Sequence, residues 1–301
     1  MKEKQRKYLL YGLCVTVVLL VVFMGIRIYH KQNLPEKVNI LCIGVDKMVP
    51  LAERDPLTNS IGQADALFLV SINRIEDEIN VIGIPRDTMV YVEKYNSNME
   101  YMGTEALQIC TQYAYADGLL NSCELTQKRV EEIFPNIQID GYAALNINAI
   151  MEINDAIGGV EVVIEDDYTA FQMSQWKGYT VNLMGIDTMN YLRVRDVTVG
   201  ESAYDRIERI KQYVNGFIPK AKGAIKRNPF IIKNIYQSIE ENMLTDMELG
   251  YIMDLADMVL DSSLENVNLY TLEGQIFVNA AGYEEFYPNK DSLEYAEQLL
   301  E

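Results

Sequence analysis

The sequence predicts an α/β domain that one N-terminal transmembrane helix anchors to a membrane. Three observations lead to this prediction. A continuous apolar run, Leu9 to Ile26, follows a basic N-terminal cluster. Two later segments are apolar on both faces, as expected for strands that are covered on both sides of a sheet. Strand-like and helix-like segments then alternate along the chain, which is the pattern of a layered α/β domain.

The composition excludes several classes of protein. Acidic residues outnumber basic residues by 44 to 26, and the formal net charge is −18. We therefore expect no nucleic-acid partner, because phosphate backbones require a broad basic surface. His30 is the single histidine of the chain, so a histidine-based zinc site or a Ser-His-Asp triad is not available.

The apolar run is long enough to cross the hydrocarbon core of a bilayer as a helix, and the basic cluster before it stays in the cytoplasm. No small-residue cleavage pattern follows, which favours an uncleaved anchor over a signal peptide. We expect a single-pass protein of the cell membrane with a cytoplasmic N-terminus and an extracellular C-terminal domain. The predicted parts are a cytoplasmic tail at residues 1–8, the transmembrane anchor at 9–28, a linker at 29–37 and one outer domain at 38–301.

The cysteines fit this topology in two ways. Cys14 lies in the predicted span, and Cys42 lies in an apolar strand-like run. Cys110 and Cys123 both fall in the outer domain, where an oxidising compartment permits a disulfide. Two separate buried thiols are the alternative, and the sequence leaves both open.

The outer domain opens with two strands that each carry an aspartate at one end. The first predicted strand, Val38 to Val45, ends at Asp46, and the second, Ala64 to Ile72, has Asp65 near its start. Ligands of open α/β sheets bind at the carboxyl ends of strands. Ile79 to Ile84 is a third strand, and short links between the three predict a meander in one part of the sheet.

The remaining segments follow from hydrophobic spacing and from cap residues such as Thr104, Ser122 or Thr126, and Thr245. Predicted strands are Met89–Val92, Gly141–Ile147, Val160–Ile164 and Val267–Leu272. Predicted helices are Thr104–Ala114, Leu125–Ile133, Asn148–Ile157, a short turn at Gly185–Tyr191, Ser202–Lys222, Asn228–Asn242, Thr245–Asp261 and Asp291–Leu300.

The stretch from Tyr191 to Gln212 concentrates positive charge in this acidic chain. Arg193 and Arg195 alternate at strand spacing, which predicts that both point to one side of an extended segment. Arg206 and Arg209 are neighbours on one helix face. A planar guanidinium is well suited to bind phosphate. Pairs between these arginines and carboxylates, holding a loop to a helix, are the structural alternative.

In order along the chain, the residues resemble the LytR–CpsA–Psr family of Gram-positive cell envelopes. The resemblance covers residues 38–222, and a membrane anchor in front of them also fits. The motifs that carry it are NILCIGVD at 39–46, ADALFLVSIN at 64–73, IPRDT at 84–88, QYAYADG at 112–118, IDGYAALNINAI at 139–150, IGGVEVVI at 157–164, YLRVRD at 191–196 and the R-x-x-R helix at 206–209. IPRDT followed at about a hundred residues by an L-R-x-R-D stretch is a specific combination.

The resemblance implies a three-layer α/β/α sandwich with a mixed central sheet and an apolar interior that holds a lipid tail. It implies transfer of an anionic glycopolymer, such as teichoic acid or capsule, from a polyprenyl-pyrophosphate carrier to peptidoglycan outside the membrane. Arginines bind the pyrophosphate, and acidic residues bind Mg²⁺ at the mouth of the pocket. The alternatives are a polyprenyl-pyrophosphate phosphatase at the same site and a non-catalytic lipid- or glycan-binding envelope protein.

Residue by residue, the resemblance assigns the following roles. Asp46 and Asp65 are the metal ligands, and either could be the general base that activates a sugar hydroxyl. Together with Arg86 and Arg193 they form the catalytic set. The residues expected to bind the diphosphate are Arg86, Arg193, Arg195, Arg206 and Arg209.

The chain departs from the family pattern at four positions around this predicted site. Gln63 and Gln108 stand where basic residues are usual, Ala203 stands for an aspartate and Ile210 for a glutamine. These changes remove positive charge and hydrogen-bonding groups from the pocket edge. Carbohydrate stacking is a further possible role for Tyr113, Tyr115 and Trp176, although such aromatic residues more commonly belong to the core and its rim.

Overall fold

A computed structural model of the protein describes residues 34–165, 176–193, 202–262 and 267–301, with the side chains of 202–208 outside the description. The predicted anchor at 9–28 lies outside these ranges. No helix within them is both long enough and apolar enough to cross a bilayer.

The strands, numbered in chain order, are β1 (Lys37–Val45), β2 (Ala64–Asn73), β3 (Glu78–Ile84), β4 (Met89–Tyr95), β5 (Tyr101–Gln108), β6 (Gly141–Asn146), β7 (Val160–Val163), β8 (Thr180–Leu183), β9 (Met243–Thr245), β10 (Val267–Thr271), β11 (Gly274–Val278) and β12 (Glu284–Pro288). The helices are α1 (Cys110–Ala114), α2 (Leu120–Ile133), α3 (Ile147–Ala156), α4 (Ile186–Arg193), α5 (Ser202–Arg227), α6 (Ile231–Ser238), a 3₁₀ turn (Glu240–Asn242), α7 (Leu249–Asp261) and α8 (Lys290–Leu300).

The central sheet is mixed and has the strand order β10-β3-β2-β1-β6-β9. Its first three strands in sequence form the predicted meander, with antiparallel β1/β2 and β2/β3 pairs. β6 and β10 join in parallel beside β1 and β3. The prediction of an α/β fold with a mixed central sheet is therefore confirmed.

Apolar side chains fill both faces of this sheet, as the unalternating strand sequences predict. On one face, Leu41, Leu69 and Ile82 belong to a cluster that includes residues of α1, α2 and α8. On the other face, Val38 and Val81 belong to a cluster that α7 completes. The sheet is thus packed on both faces, which holds the ends of its strands in place.

A third apolar cluster lies around the β7–β8 hairpin. Val160, Val162 and Leu183 of the hairpin pack with Tyr213 of α5 and with Tyr191 near the end of α4. Through Tyr191, this cluster fixes α4 two residues before Arg193.

The prediction of a helix at Thr104–Ala114 is wrong in its first half. Residues Tyr101–Gln108 form β5, which pairs antiparallel with β4. The Asn96 side chain accepts hydrogen bonds from the amides of Asn98 and Glu100, and so closes a turn between the two strands. Strand pairing across this turn overrides the local helical spacing, and the helix begins only at Cys110.

The predicted caps also differ from the structure. Thr104 lies in β5, and Thr245 lies in β9, where its hydroxyl donates to the carbonyl of Tyr142. Ser122 and Thr126 lie inside α2 rather than before it. The backbone amides at the start of α2 bind Asp117 instead.

Other boundaries differ as well. The segment predicted as one helix at Asn228–Asn242 is α6 followed by a 3₁₀ turn, and α7 begins at Leu249 rather than Thr245. Short strands that lack a strong sequence pattern were missed; they are β8, β9, β11 and β12.

Cys42, Cys110 and Cys123 are free thiols. Of the two possibilities open for Cys110 and Cys123, the structure therefore shows separate buried thiols. Burial raises the pKa of Cys110 to about 11, so this thiol is uncharged at neutral pH.

Candidate active site

One edge of the central sheet collects the ends of β1 and β3 and the start of β2. Val45 at the end of β1 is paired with Ala64 at the start of β2, which brings Asp46 and Asp65 to the same edge. A register shift between Gly44 and Val45 accompanies this. Gly44 is needed here because a Cβ on it would lie 2.9 Å from the Cβ of Ala66.

Gln63 holds the two aspartates together through its backbone. The amides of Asp46 and Asp65 both donate to the Gln63 carbonyl oxygen, each at 3.0 Å. The backbones of Asp46 and Asp65 are therefore held close to the same carbonyl oxygen. Both residues lie at the edge of the sheet where ligands of α/β proteins bind.

Arg86 lies on the same edge, directly after β3 and Pro85. Its guanidinium contacts Asp65 Oδ2 at 2.6 Å and Asp87 Oδ1 at 3.6 Å. Nη2 also donates to Gln63 Oε1 at 3.1 Å and to Cys110 Sγ at 3.4 Å. The Arg86 side chain is half-buried and held from several sides.

The electrostatics keep this group charged. Burial of the guanidinium acts to lower the pKa of Arg86, but the Cys110 sulfur and the Asp65 and Asp87 carboxylates outweigh it, so the net pKa is raised. A permanent positive charge partly shielded from water binds an anion more strongly than an exposed one.

Arg193 reaches the same edge from helix α4. Its Nη2 contacts Asp46 Oδ1 at 2.8 Å, with 49% of the arginine side chain exposed. Arg193 is the last residue of α4, so the prediction that it lies with Arg195 in one extended segment is wrong at this position. Tyr191, two residues earlier in the helix, is packed in the third apolar cluster.

Arg209 is buried and binds the backbone near the end of α4. It is 4% exposed, and its Nε donates to the backbone carbonyl of Tyr191 at 2.8 Å. Tyr191 in turn donates its hydroxyl to Gln212 Oε1. Arg209 therefore supports the backbone at Tyr191, two residues before Arg193, and its assignment to diphosphate binding stays a prediction.

The remaining predicted residues stand as follows. Arg195 lies outside the described residues, as does the side chain of Arg206 in α5. Ala203 falls in the same part of α5, and Ile210 follows the buried Arg209. Gln108 turns to the C-terminal hairpin, where its Nε2 donates to the carbonyl of Glu284 at 3.1 Å.

The aromatic residues considered for sugar stacking divide into two kinds. Tyr113 is fully buried and donates its hydroxyl to the Gly118 carbonyl, so it belongs to the core. Tyr115 and Trp176 are exposed, and Lys94 lies 5.8 Å from the centre of the Tyr115 ring.

Gln63 is the site residue that sequence reasoning undervalued. The sequence marks it only as the loss of a basic residue, whereas the structure places it between Arg86 and both aspartates. Its position one residue before the strand with Asp65 was the available signal. Cys110 gave no sequence signal, because its contact with Arg86 depends on where the start of α1 lies in the folded domain.

The two aspartates have the donor chemistry that suits Mg²⁺. The ion prefers hard oxygen ligands and commonly takes one or two carboxylates with phosphate oxygens and waters. Each carboxylate also has one oxygen paired with an arginine. Within the described residues no group of three or more His, Cys, Asp or Glu side chains could hold a metal, so a two-aspartate site would need oxygens from a bound phosphate.

Two surface clefts, of about 450 and 380 Å³, are lined by other residues. Tyr270, Glu273 and Ser292 are among the residues that line the first. Glu165 and Lys211 are among those that line the second. Neither contains Asp46, Asp65, Arg86 or Arg193.

Comparison with known proteins gives a family match over most of the chain. The model of the LytR_cpsA_psr family matches residues 26–300. The matched range includes every residue of the sheet edge described above.

Relatives of known annotation match with low identity. The chain is 29% identical over 160 residues to the polyisoprenyl-teichoic acid–peptidoglycan teichoic acid transferase TagU of Oceanobacillus iheyensis. It is 25% identical over 227 residues to the protein of the same name from Bacillus cereus. These alignments cover 53% and 73% of this chain, but only 44% and 66% of the relatives' own lengths.

A solved structure shares the fold. Protein gbs0355 from Streptococcus agalactiae superposes with a TM-score of 0.70 at 20% sequence identity. The match covers 88% of this chain and 86% of that protein. The similarity establishes the arrangement of sheet and helices that carries the edge.

Proposed function

The chain belongs to the LytR_cpsA_psr family, and on that premise we propose that it transfers an anionic glycopolymer from a polyprenyl-pyrophosphate carrier to peptidoglycan. The class of glycopolymer transferase is the one named for its TagU relatives. One observation carries the proposal for this chain: Arg86 and Arg193 converge on one sheet edge, each paired with one of two adjacent aspartates.

The pairs hold the site ready for an anion. In the absence of substrate, Asp65 and Asp46 neutralise Arg86 and Arg193. A diphosphate offers oxygens that can take the place of the carboxylates, and its charge can be shared between the two guanidinium groups. Phosphoryl transfer needs such dispersal of negative charge more than it needs covalent help from the protein.

The proposed reaction replaces the phosphoanhydride bond of the diphosphate with a phosphoester bond to peptidoglycan. A hydroxyl oxygen of peptidoglycan bonds to the phosphorus that carries the glycopolymer. The bond from that phosphorus to the bridging oxygen of the diphosphate breaks, and polyprenyl phosphate leaves with the electron pair. Asp46 or Asp65 takes the hydroxyl proton. Mg²⁺ held by these two residues would add charge stabilisation at the phosphate oxygens.

We further propose that the domain acts on the outer side of the cell membrane of a Gram-positive-type envelope. The anchor predicted at residues 9–28 would keep it within reach of a carrier that lies in the same membrane. The apolar interior for the lipid tail remains a prediction, as do the parts of Arg195 and Arg206 in binding the diphosphate.

Product analysis on the full chain in detergent tests the proposal. The substrates are a polyprenyl-pyrophosphate-linked glycopolymer and isolated peptidoglycan, with Mg²⁺ present or removed by a chelator. We expect Mg²⁺-dependent release of polyprenyl phosphate and covalent attachment of polymer to peptidoglycan. Release that is equally fast without peptidoglycan would identify a phosphatase, and binding without any release, unaffected by Asp46→Asn, would identify a non-catalytic binding protein.

A further inference from the structure

The C-terminal hairpin, β11 and β12, is joined directly to the segment that carries Arg86. The amide of Phe286 in β12 donates to the Asp87 carbonyl at 2.9 Å, and Thr88 forms a parallel bridge with Phe286. Gln108 adds the bond to the Glu284 carbonyl. Since bridged strands lie about 5 Å apart, the hairpin begins roughly 10 Å or less from the Arg86 backbone.

One face of this hairpin carries an aromatic pair beside a fixed carboxylate. Cross-strand register places Phe277 opposite Glu285 and Gln275 opposite Tyr287, so these four side chains share a face, which we call the hairpin face. The rings of Phe277 and Tyr287 lie 5.7 Å apart in an edge-to-face arrangement. They are 52% and 44% exposed, although aromatic residues of this size are usually covered.

The carboxylate of the hairpin face is oriented by its neighbours. Asn279 Nδ2 donates to Glu285 Oε1 at 3.1 Å, and the Tyr287 hydroxyl donates to Oε2 at 3.1 Å. An apolar ring surface next to a preoriented carboxylate and an amide suits a sugar. The C–H side of a sugar ring packs on the aromatic rings, while its hydroxyl or amino groups bind the oxygens and nitrogen.

Charge decides between the surfaces that could cover this face. The hairpin from Gly274 to Pro288 contains Glu284 and Glu285 and no lysine or arginine. An anionic glycopolymer or an anionic membrane surface would be repelled. A second copy of the chain would bring the same acidic residues together. A polymer of sugars whose peptide branches carry amino groups offers both a ring for the aromatic pair and a cation for Glu285.

We propose that the hairpin face binds the peptidoglycan acceptor beside the Arg86 edge, an inference that rests on the proposed function. The anionic donor would be held by the arginines on one side of Asp87, and the acceptor by the hairpin on the other. The domain would thus separate its two polymers by charge.

Binding of soluble peptidoglycan fragments to the full chain in detergent tests this directly. The probe is a muramidase digest with free amino groups, measured by calorimetry, and the matched probe has those groups acetylated. We expect the double variant Phe277→Ser, Tyr287→Ser to raise the Kd at least tenfold. Glu285→Gln should raise the Kd for the free-amine probe several-fold and leave that for the acetylated probe unchanged. Phe230→Ser, which replaces a still more exposed aromatic residue elsewhere, should change neither.

Three results would overturn the inference. The first is an unchanged Kd in the isosteric Glu285→Gln variant and in the double variant. The second is a shift from dimer to monomer in sedimentation of the double variant, which would make the face a contact between copies. The third is equal loss in Phe230→Ser. Failure of the proposed function is a separate outcome, because a chain that binds fragments through the hairpin but transfers nothing would refute that function alone.

Discussion

The two arginines of the sheet edge are held in opposite ways. Arg86 is half-buried, and its guanidinium contacts Asp65, Asp87, Gln63 and Cys110. Arg193 is exposed at the end of a helix, and Asp46 is the ion-pair partner the structure records for it. Several contacts hold the first charge in place, whereas one recorded ion pair holds the second. For the proposed function, we therefore expect Arg86 to orient the diphosphate more than Arg193 does.

Removing the fixed charge should give the largest effect. We expect Arg86→Ala to lower kcat/KM for polymer transfer about 10³-fold, near 4 kcal/mol, because a preorganised donor is lost at the transition state. Steady-state assays of polyprenyl phosphate release measure it. Arg54→Ala is the matched control, since Arg54 lies in the β1–β2 loop and donates to the Asn59 carbonyl. Retention of more than a tenth of the activity in Arg86→Ala would remove Arg86 from the diphosphate site.

Removing the Arg193 guanidinium should lower activity less than removing that of Arg86. We expect Arg193→Ala to lower kcat/KM by about 10–10² fold and to shift the free energy of unfolding by less than about 1 kcal/mol, as for other exposed ion pairs. Chemical denaturation alongside the assay separates the two quantities. If Arg193→Ala were as inactive as Arg86→Ala, the proposed difference between the two arginines would be refuted.

Gln63 contacts Arg86 through its side chain and both aspartates through its backbone carbonyl. A substitution at this position therefore changes the first contact and keeps the backbone bonds. We expect Gln63→Leu to lower kcat/KM by about 5–10 fold, because Arg86 loses one hydrogen-bond acceptor worth about 1 kcal/mol. Gln63→Glu keeps an acceptor and should bind the anionic donor more weakly through added negative charge. The two variants therefore separate positioning from charge, and a Gln63→Leu enzyme with normal kinetics would show that Asp65 alone orients Arg86.

The smallest effect on activity is expected at Cys110, whose contribution to stability is visible only at alkaline pH. The pKa of the thiol is raised to about 11 in the folded protein by burial, against an ordinary value of 9.0. The folded state therefore keeps its proton longer than the unfolded state, and stability is lost as pH rises from about 9 towards 11, by about 1–3 kcal/mol. Cys110→Ser keeps an acceptor for Arg86 and does not titrate there.

Urea unfolding at pH 8 and pH 10.5 tests this effect. The loss of stability between the two pH values should be smaller in Cys110→Ser than in the unchanged chain, while activity at neutral pH stays within about twofold. Equal pH dependence of the free energy of unfolding in both proteins would mean that ionisation of the Cys110 thiol does not contribute to the loss of stability.

The sequence predicts the parts of this site that depend on strand patterns. Continuous apolar segments identify β1, β2 and β3 with nearly correct bounds, and the meander that follows brings Asp46, Asp65 and Arg86 to one edge. Such strands are specified locally by β-branched and apolar residues, so their ends can be read from the sequence.

Features that depend on distant packing could not be predicted in this way. The helical conformation at Arg193 accompanies the packing of Tyr191 against the β7–β8 hairpin, and the buried position of Arg209 accompanies its bond to a backbone carbonyl. A sequence window sees only spacing, and alternate arginines fit an extended segment as well as a helix terminus. Short exposed strands such as β11 and β12 carry no periodic signal long enough to distinguish them from loops.

The bond from Phe286 to Asp87 joins residues about two hundred positions apart. Strand β10, which borders β3, comes from the same late part of the chain. Contacts of such long range form slowly, since the intervening chain must first be ordered. During synthesis the loop that carries Arg86 therefore emerges long before its support, and the sheet edge is complete only after the β11–β12 hairpin has been made.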